Sequence, residues 1–391
     1  MSPQPALLRS VSAMPAPTPL PALNHIPPEI RCALDYETQA PRFIAAPTLA
    51  YIEGGSGHDR SVVANRAAYA RWAITPRLLR DVSAGNTGVT LAGMNMAHPL
   101  MLGPVAFHNL VHPGGERETV RAAAAMDCPV IASTQSSCTL EQLAQSAGPQ
   151  RWFQMYLQPQ RADTLDLLRR AEAAGYGAIV LTLDAPIQVA SLRTLAAQFQ
   201  LPPQCVPVNL AGYTAAQEPA VAAGASRILQ GLMAAAPSWD ELRWLVGQTR
   251  LPVWAKGVMH ADDALALRAA GVAGIIVSNH GGRSLDGAPA TLDVLPAIRA
   301  ALGTDMPIVF DGGIRSGSDV FKALALGADA VAIGRLQLYA LAVAGALGVA
   351  HMLKLLREEL EICMALAGCA SIEDIRATAL FHQRDHHVNH D

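Results

Sequence analysis

Short apolar runs alternate with longer helical patterns along this 391-residue chain, from about residue 99 onward. Such alternation predicts βα units and a parallel sheet, and eight runs is the number that closes a (β/α)8 barrel. Gly175, Gly271 and Gly327 each follow a helical pattern, where a glycine commonly ends a helix. We therefore predict an α/β fold of the (β/α)8 TIM-barrel type. The predicted strands are 100–105, 129–133, 152–157, 178–183, 252–256, 274–278, 308–310 and 330–333.

The segments outside this pattern divide the chain into three regions. Residues 1–30 are rich in Pro and Ala and are expected to be a flexible arm, or alternatively an extension lying on the surface. Residues 31–378 form the barrel domain, and 379–391 are expected to be a polar His-rich tail rather than a metal site. A long loop, about residues 185–250, follows the fourth strand. We expect it to be a lid over the barrel or an oligomer contact, and a membrane-facing insert is a further alternative.

Composition argues against several classes of function. The 29 Lys and Arg residues nearly balance the 32 Asp and Glu residues, and no basic stripe suggests nucleic acid or a membrane surface. No signal peptide and no uninterrupted apolar run of about 18 residues is evident. The six cysteines lack CxxC spacing, so we expect reduced thiols, a cytoplasmic protein and no metal site.

Polar side chains follow the predicted strands, at the face where barrel active sites lie. The sixth strand runs into Ser278-Asn279-His280-Gly281-Gly282-Arg283, which offers a base and a carboxylate-binding cation on one turn. An ordinary βα turn with a solvated Arg is the alternative. Lys256 and Asp311 end the neighbouring strands, which favours a functional turn.

The turns after strands seven and eight are typical of phosphate binding. Each combines glycines with an arginine, Arg315 in one and Arg335 in the other, ahead of a helix. Two ordinary glycine-containing turns are the alternative. No GxGxxG follows the first strand, so a nicotinamide dinucleotide is not indicated.

Lys256 has three interpretations: a Schiff base, a structural ion pair, or a cation beside the pyrimidine edge of a flavin. The adjacent phosphate site, with Gln154 and Thr182 available to a heterocycle, favours a phosphate-bearing flavin. Asp184 is expected to orient His280 and to raise its basicity, with a structural bond to the backbone as the alternative.

These motifs identify a resemblance to the FMN-dependent α-hydroxy acid oxidase/dehydrogenase family, over roughly residues 45–375. It rests on 278–283, on 311–317 running into 319–324, on 153–156, on 181–184 and on 51–55. The resemblance implies FMN-dependent oxidation of an L-2-hydroxy acid to the 2-oxo acid, with O2 reoxidising the flavin to give H2O2. It also implies a homotetramer or a higher homo-oligomer.

The resemblance assigns roles by position. His280 would be the base, supported by Asp184, with Tyr156 and Tyr51 at the substrate and Arg283 on its carboxylate. The FMN-binding set would comprise Pro104, Val105, Ala106, Ser133, Gln154, Thr182, Lys256, Ser278, Asp311, Gly313, Arg315, Gly334 and Arg335.

The chain departs from the family pattern after strand four. Ser191 stands where the family has a second carboxylate-binding Arg, and Arg193 is the candidate replacement. Gln135 replaces a frequent aromatic residue, and Ala106 favours O2 over another acceptor. The alternatives are a dehydrogenase of this family, a divergent member acting on a larger substrate, a reduced-flavin isomerase, and a flavin-binding protein with impaired catalysis.

Overall fold

Eight parallel strands close into a barrel in the computed structural model, which describes residues 18–215 and 220–383. Each strand pairs with the next in chain order and the last pairs with the first. Their residues are almost all buried, which explains the uninterrupted apolar runs, and the predicted fold is confirmed. The strands are β1 Leu100–Leu102, β2 Val130–Ser133, β3 Arg151–Met155, β4 Ile179–Thr182, β5 Val253–Val258, β6 Gly274–Val277, β7 Ile308–Asp311 and β8 Ala330–Ile333.

A helix follows every barrel strand. Gly175, Gly271 and Gly327 have φ values of +74°, +86° and +118°, as predicted for glycines that end helices. The helices are α1 Gly115–Ala125, α2 Leu140–Ser146, α3 Arg161–Ala173, α4 Trp239–Gly247, α5 Ala261–Ala269, α6 Thr291–Leu302, α7 Gly317–Ala325 and α8 Arg335–Ala367.

Helix α8 is long and apolar enough to cross a membrane, although its apolar sequence is interrupted by polar residues. Of its most apolar 18-residue window, 83% is buried inside the protein. It is therefore packed here as a core helix. Its helical geometry is broken at Ala344 and Gly345.

The N-terminal segment packs on the barrel. It contains the helices Asp35–Gln39, Ala46–Glu53 and Arg60–Ala67, with 3-10 turns at Ala40–Arg42 and Ala68–Arg71. Upstream, the Leu23 N–H donates to the carbonyl of Val343 at 2.8 Å, and Ile30 is 7% exposed. Residues 18–30 therefore contact the barrel domain, while residues 1–17 lie outside the described part.

Two small antiparallel ladders lie outside the barrel, Val89–Leu91 with Met94–Met96 and Trp72–Ala73 with Phe381–His382. The second ladder includes 381–382, which lie within the expected tail. Residues 384–391, with three of the four tail histidines, lie outside the described residues. The short helix Ile372–Arg376 precedes this ladder.

The long loop between β4 and α4 carries short helical pieces, Leu192–Ala196, Val208–Leu210, Arg227–Gly231 and Leu232–Ala235. Residues 216–219 within it are not described. Asn209 is buried, accepts from the Leu140 N–H at 2.8 Å and donates to the Thr134 carbonyl at 3.2 Å. The loop is thus fixed beside the end of β2, on the face where barrel active sites lie.

Candidate active site

A cleft at the carboxyl ends of the strands holds about 1170 Å³ of empty space, part of it open to solvent. This is ample for a cofactor and a small substrate, since ligand pockets usually span about 300–1,000 Å³. Of the candidate residues predicted from the sequence, all but Asp184, Ser278 and Arg193 line this cleft. The lining candidates are Tyr51, Pro104, Val105, Ala106, Ser133, Gln154, Tyr156, Thr182, Lys256, His280, Arg283, Asp311, Gly313, Arg315, Gly334 and Arg335.

His280, which lines the cleft, pairs with Asp184, and Nδ1 of the imidazole lies 2.9 Å from Oδ1 of the carboxylate. His280 has a φ of +58°, an uncommon value for a residue with a side chain, and Gly281 and Gly282 follow at +64° and +83°. The two glycines permit the tight turn that carries His280 to the cleft. Asp184 thus contacts the imidazole, rather than the backbone as in the alternative.

The surroundings of Asp184 favour its charged form. Burial alone would raise its pKa, but the charge of Lys256 and the hydrogen bond from His280 hold the pKa below its usual value. An ionised Asp184 accepts a hydrogen bond from the protonated Nδ1 of His280. Nε2 is then the basic nitrogen of the imidazole.

A glycine in β5 makes room for Asp184. Gly257 lies at an irregularity of the β5–β6 ladder and has a φ of +105°. A Cβ built at Gly257 would lie 2.3 Å from the Asp184 Cβ. No sequence pattern pointed to this contact, because it joins two strands.

Lys256, Ser278 and Asp311 form a hydrogen-bonded chain across β5, β6 and β7. The Lys256 ammonium lies 2.9 Å from Oγ of Ser278 and 3.4 Å from Oδ2 of Asp311. Ser278 in turn donates to Asp311 at 2.7 Å and accepts from the His280 N–H at 3.0 Å. Lys256 is therefore ion-paired and also lines the cleft, where a ligand could contact it.

Three polar side chains join the ends of β2, β3 and β4. Gln154 accepts from the Ser133 hydroxyl at 3.2 Å and donates through Nε2 to Thr182 Oγ1 at 2.9 Å. These bonds fix which end of the amide faces which neighbour. The row of donors and acceptors beside Lys256 suits the polar edge of a flavin ring.

Arg283 is half-buried and is held by the N-terminal segment. Its Nη2 donates to the carbonyls of Tyr51 and Ile52 at 2.5 and 3.0 Å, and its guanidinium lies 4.9 Å from the Tyr51 ring centre. The Tyr51 ring stacks on Phe199 at 4.4 Å, a contact that the sequence did not suggest. Burial raises the pKa of Tyr156, so Tyr156 is a neutral hydroxyl at physiological pH.

Arg193, the candidate second clamp after β4, is bonded to other partners in this structure. Arg193 does not line the cleft and instead forms ion pairs with Glu53 at 2.7 Å and Asp59 at 3.2 Å. Ser191 is also turned away, because it is buried and accepts from the Thr194 N–H at the start of a short helix. Gln188 lines the cleft from this loop.

The two predicted phosphate turns lie together, but their arginines already have partners. Arg315 makes a double hydrogen bond to Glu37, and the three nitrogens of Arg335 donate to the carbonyls of Ile52, Gly54 and Gly281. Burial, together with the charge of Arg283, lowers the pKa of Arg335 to about 10. Arg335 therefore connects the N-terminal segment to the His280 turn, a role that its sequence position did not predict.

The turns still fit a phosphate through their backbone. The N–H groups of Gly334 and Arg335, at the start of α8, have no acceptor within residues 18–215 and 220–383. A Cβ at Gly334 would meet nothing within 4 Å, so an anion can approach. The buried Tyr339 hydroxyl, beside Arg315, also lacks a partner among the described residues. Free donors at a helix N-terminus are a recurrent anion site.

A barrel with this donor set defines a flavin-dependent oxidoreductase. Residues 40–382 match the family profile described as FMN-dependent dehydrogenase. An L-lactate oxidase of Alicycliphilus denitrificans is 62% identical over 90% of this chain and 96% of its own. Human 2-hydroxyacid oxidase 1 is 37% identical over 90% and 96%. A crystal structure of mandelate oxidase with (S)-2-phenylpropionate has a TM-score of 0.81 at 38% identity, covering 89% of this chain and 98% of its own.

The chain belongs to the family of FMN-dependent dehydrogenases, and FMN is its cofactor. The resemblance found in the sequence is thereby confirmed.

Proposed function

We propose that this enzyme oxidises a short L-2-hydroxy acid, such as L-lactate, to the 2-oxo acid, and that O2 accepts the electrons to give H2O2. The observation that carries this proposal is the pairing of His280 with Asp184 at 2.9 Å on the turn that also carries Arg283. A base and a carboxylate-binding cation then face one cleft. The L-lactate oxidase that is 62% identical supports the small substrate and the O2 acceptor.

The protein's own groups divide the work as follows. Arg283 holds the substrate carboxylate, with the Tyr51 hydroxyl beside it, and Tyr156 hydrogen-bonds the substrate oxygens. His280 accepts the proton of the 2-hydroxyl at Nε2, because Nδ1 faces Asp184. The negative charge of Asp184 then stabilises the imidazolium.

Bound FMN supplies the acceptor for the C2 hydrogen and the two electrons that leave the substrate. The ring would be held by Lys256 and by the Ser133, Gln154 and Thr182 row. The phosphate would be held by the free N–H groups of Gly334 and Arg335. In the overall balance, O2 gains two electrons and two protons, and the substrate loses the same.

A larger substrate is the second candidate. The mandelate oxidase structures are similar to the chain over most of its length. The ion pair of Arg193 with Glu53, outside the cleft, also supports this candidate. A dehydrogenase passing electrons to another acceptor would use the same residues for the first half of the reaction.

A substrate panel separates these candidates. The purified protein is mixed without oxygen with glycolate, L-lactate, D-lactate and (S)-mandelate, and the loss of flavin absorbance is timed. We expect L-lactate to bleach the flavin fastest, and air to restore the colour with one H2O2 per pyruvate. Faster bleaching by (S)-mandelate would favour the larger substrate, and slow recovery in air would favour a dehydrogenase.

The same assay tests the base. His280→Ala should retain FMN and lose nearly all flavin reduction by L-lactate, since the variant lacks the imidazole that takes the proton of the 2-hydroxyl. Reduction at a near-normal rate would refute the assignment of His280.

A further inference from the structure

Arg315 in the phosphate turn already has a carboxylate partner. Its Nε and Nη2 donate to Glu37 at 2.6 and 3.1 Å, and its Nη1 donates to the carbonyl of Ile314 at 2.9 Å. Glu37 comes from the helix Asp35–Gln39, far away along the chain. The guanidinium is buried, with 8% of its side chain exposed, so this carboxylate is its counter-charge.

The contacts leave part of the guanidinium available. An Arg side chain has five N–H groups in a fixed planar fork. Glu37 takes the edge formed by Nε and Nη2, and the Ile314 carbonyl takes one N–H of Nη1. One N–H on each terminal nitrogen remains, on a side chain that lines the cleft with Gly313 and Gly334. A phosphate can bind this remaining edge while Glu37 keeps the other.

We propose that Glu37 is the counter-anion of the FMN phosphate site: it balances Arg315 when the cofactor is absent and weakens FMN binding when the phosphate arrives. The two anions then share one guanidinium and repel each other across it. Glu37 thus stabilises the cofactor-free protein at the expense of affinity for FMN.

The charge states support competition rather than simple orientation. Burial would raise the pKa of Glu37, but the hydrogen bond and charge of Arg315, with Arg66 and Arg335, hold it below its usual value. Glu37 is therefore ionised at neutral pH, as is the phosphate. Arg315 has other supports for its position, namely the Ile314 carbonyl and the Tyr339 ring 5.9 Å away. Removing the charge of Glu37 should thus change electrostatics more than geometry.

The decisive variant is Glu37→Gln, which keeps the shape and one acceptor but removes the charge. Full-length protein freed of FMN is titrated with FMN and with riboflavin, which lacks the phosphate, and the quenching of flavin fluorescence is followed. We expect the dissociation constant for FMN to fall about tenfold, because like charges repel strongly in a partly buried site and solvent at Glu37 moderates the effect. The constant for riboflavin should not change.

Two further variants serve as controls. Glu37→Asp keeps the charge and should bind FMN nearly as the parent does. Glu141→Gln removes the carboxylate from an equivalent pair of hydrogen bonds, which Arg170 donates to Glu141 at 2.8 and 3.3 Å. These two residues lie on helices α2 and α3, outside the cleft. It should affect neither titration.

Thermal unfolding gives an independent readout. Cofactor-free Glu37→Gln should melt below the parent protein, because Arg315 is left buried without a counter-charge. Saturating FMN should narrow that difference and riboflavin should leave it unchanged. If the cofactor-free variant does not stay folded, the rate of FMN release from holoenzyme into excess riboflavin replaces the titration, and slower release is expected.

Several results would overturn the proposal. These are weaker or unchanged FMN binding by Glu37→Gln, an equal shift for riboflavin, faster FMN release, or a melting difference that FMN does not narrow. The measurements use no hydroxy acid and depend only on FMN as the cofactor. A failure here therefore leaves the proposed oxidation untouched, and a failed substrate panel leaves this inference untouched.

Discussion

Replacing Gly257 by Ala should damage both the stability of the barrel and the His280–Asp184 pair. The new Cβ would lie 2.3 Å from Cβ, 2.5 Å from Cγ and 3.0 Å from the backbone nitrogen of Asp184. Contacts to the backbone cannot be relieved by a side-chain rotation alone. Either β5 or the end of β4 must shift, and Asp184 moves with it.

The size of the effect follows from three terms. Alanine at a φ of +105° is strained by about 1–3 kcal/mol, and overpacking adds about 1–3 kcal/mol. The smaller conformational entropy of the unfolded chain offsets about 0.4–1 kcal/mol. We therefore expect a loss of about 2–5 kcal/mol in the free energy of unfolding. Flavin reduction should slow on the order of 100-fold if the base is misplaced by about an ångström.

The assay combines urea unfolding of the holoenzyme with anaerobic flavin reduction by L-lactate. Gly93→Ala is the matched control, because Gly93 has a φ of +82° and nothing within 4 Å of a built Cβ. It measures backbone strain without the clash. The reasoning fails if Gly257→Ala is no less stable than Gly93→Ala, or if its flavin is reduced at the parent rate.

Three further changes test the site around this pair. Asp184→Asn should slow flavin reduction, and stopped-flow measurement at pH 7 checks it. The pKa of Asp184 is depressed in the folded state, so its stabilisation is present above about pH 4 and is lost as pH falls through the folded pKa. The difference in unfolding free energy between parent and Asp184→Asn should accordingly shrink in acid. Arg193→Ala should keep the KM for L-lactate within about twofold of the parent value, because Arg193 pairs with Glu53 and Asp59 outside the cleft. A tenfold rise in the steady-state KM would instead show that Arg193 binds the substrate carboxylate. Ser191→Arg should lower the melting temperature without improving turnover, since Ser191 is 1% exposed and caps a helix.

The barrel could be predicted from the sequence because its signals are local. A buried parallel strand is a short apolar run, and a helix ends at a glycine, so each unit appears within about thirty residues. The residues at the strand ends could be placed for the same reason, since every βα unit delivers its polar end to one face. His280, Lys256 and Gln154 were found in this way.

Contacts that join distant parts of the chain could not be found by that reasoning. The sequence shows the position of Arg193 relative to β4, which makes it a candidate for binding the substrate carboxylate. Its ion-pair partners Glu53 and Asp59 lie more than a hundred residues upstream and cannot be inferred from that position. The guanidinium of Arg335 was assigned to a phosphate, and its carbonyl partners were equally remote. A charged residue at the expected position shows which group could bind a ligand. Its partners in the folded protein decide whether that group is available to the ligand.

Most of these partners of Arg193 and Arg335 lie in the N-terminal segment. Each turn after β6, β7 and β8 is closed by a contact from residues 37–69: Asn65 bonds Asn279 at 2.8 Å, Tyr69 bonds the Gly312 carbonyl at 2.5 Å, and the Ile52 carbonyl bonds Arg335 at 2.7 Å. The barrel alone therefore supplies the floor of the cleft, and this segment supplies the wall around its charged turns. Substitutions in the segment should alter cofactor and substrate binding even where they touch neither, because they change what the arginines of the barrel are bonded to.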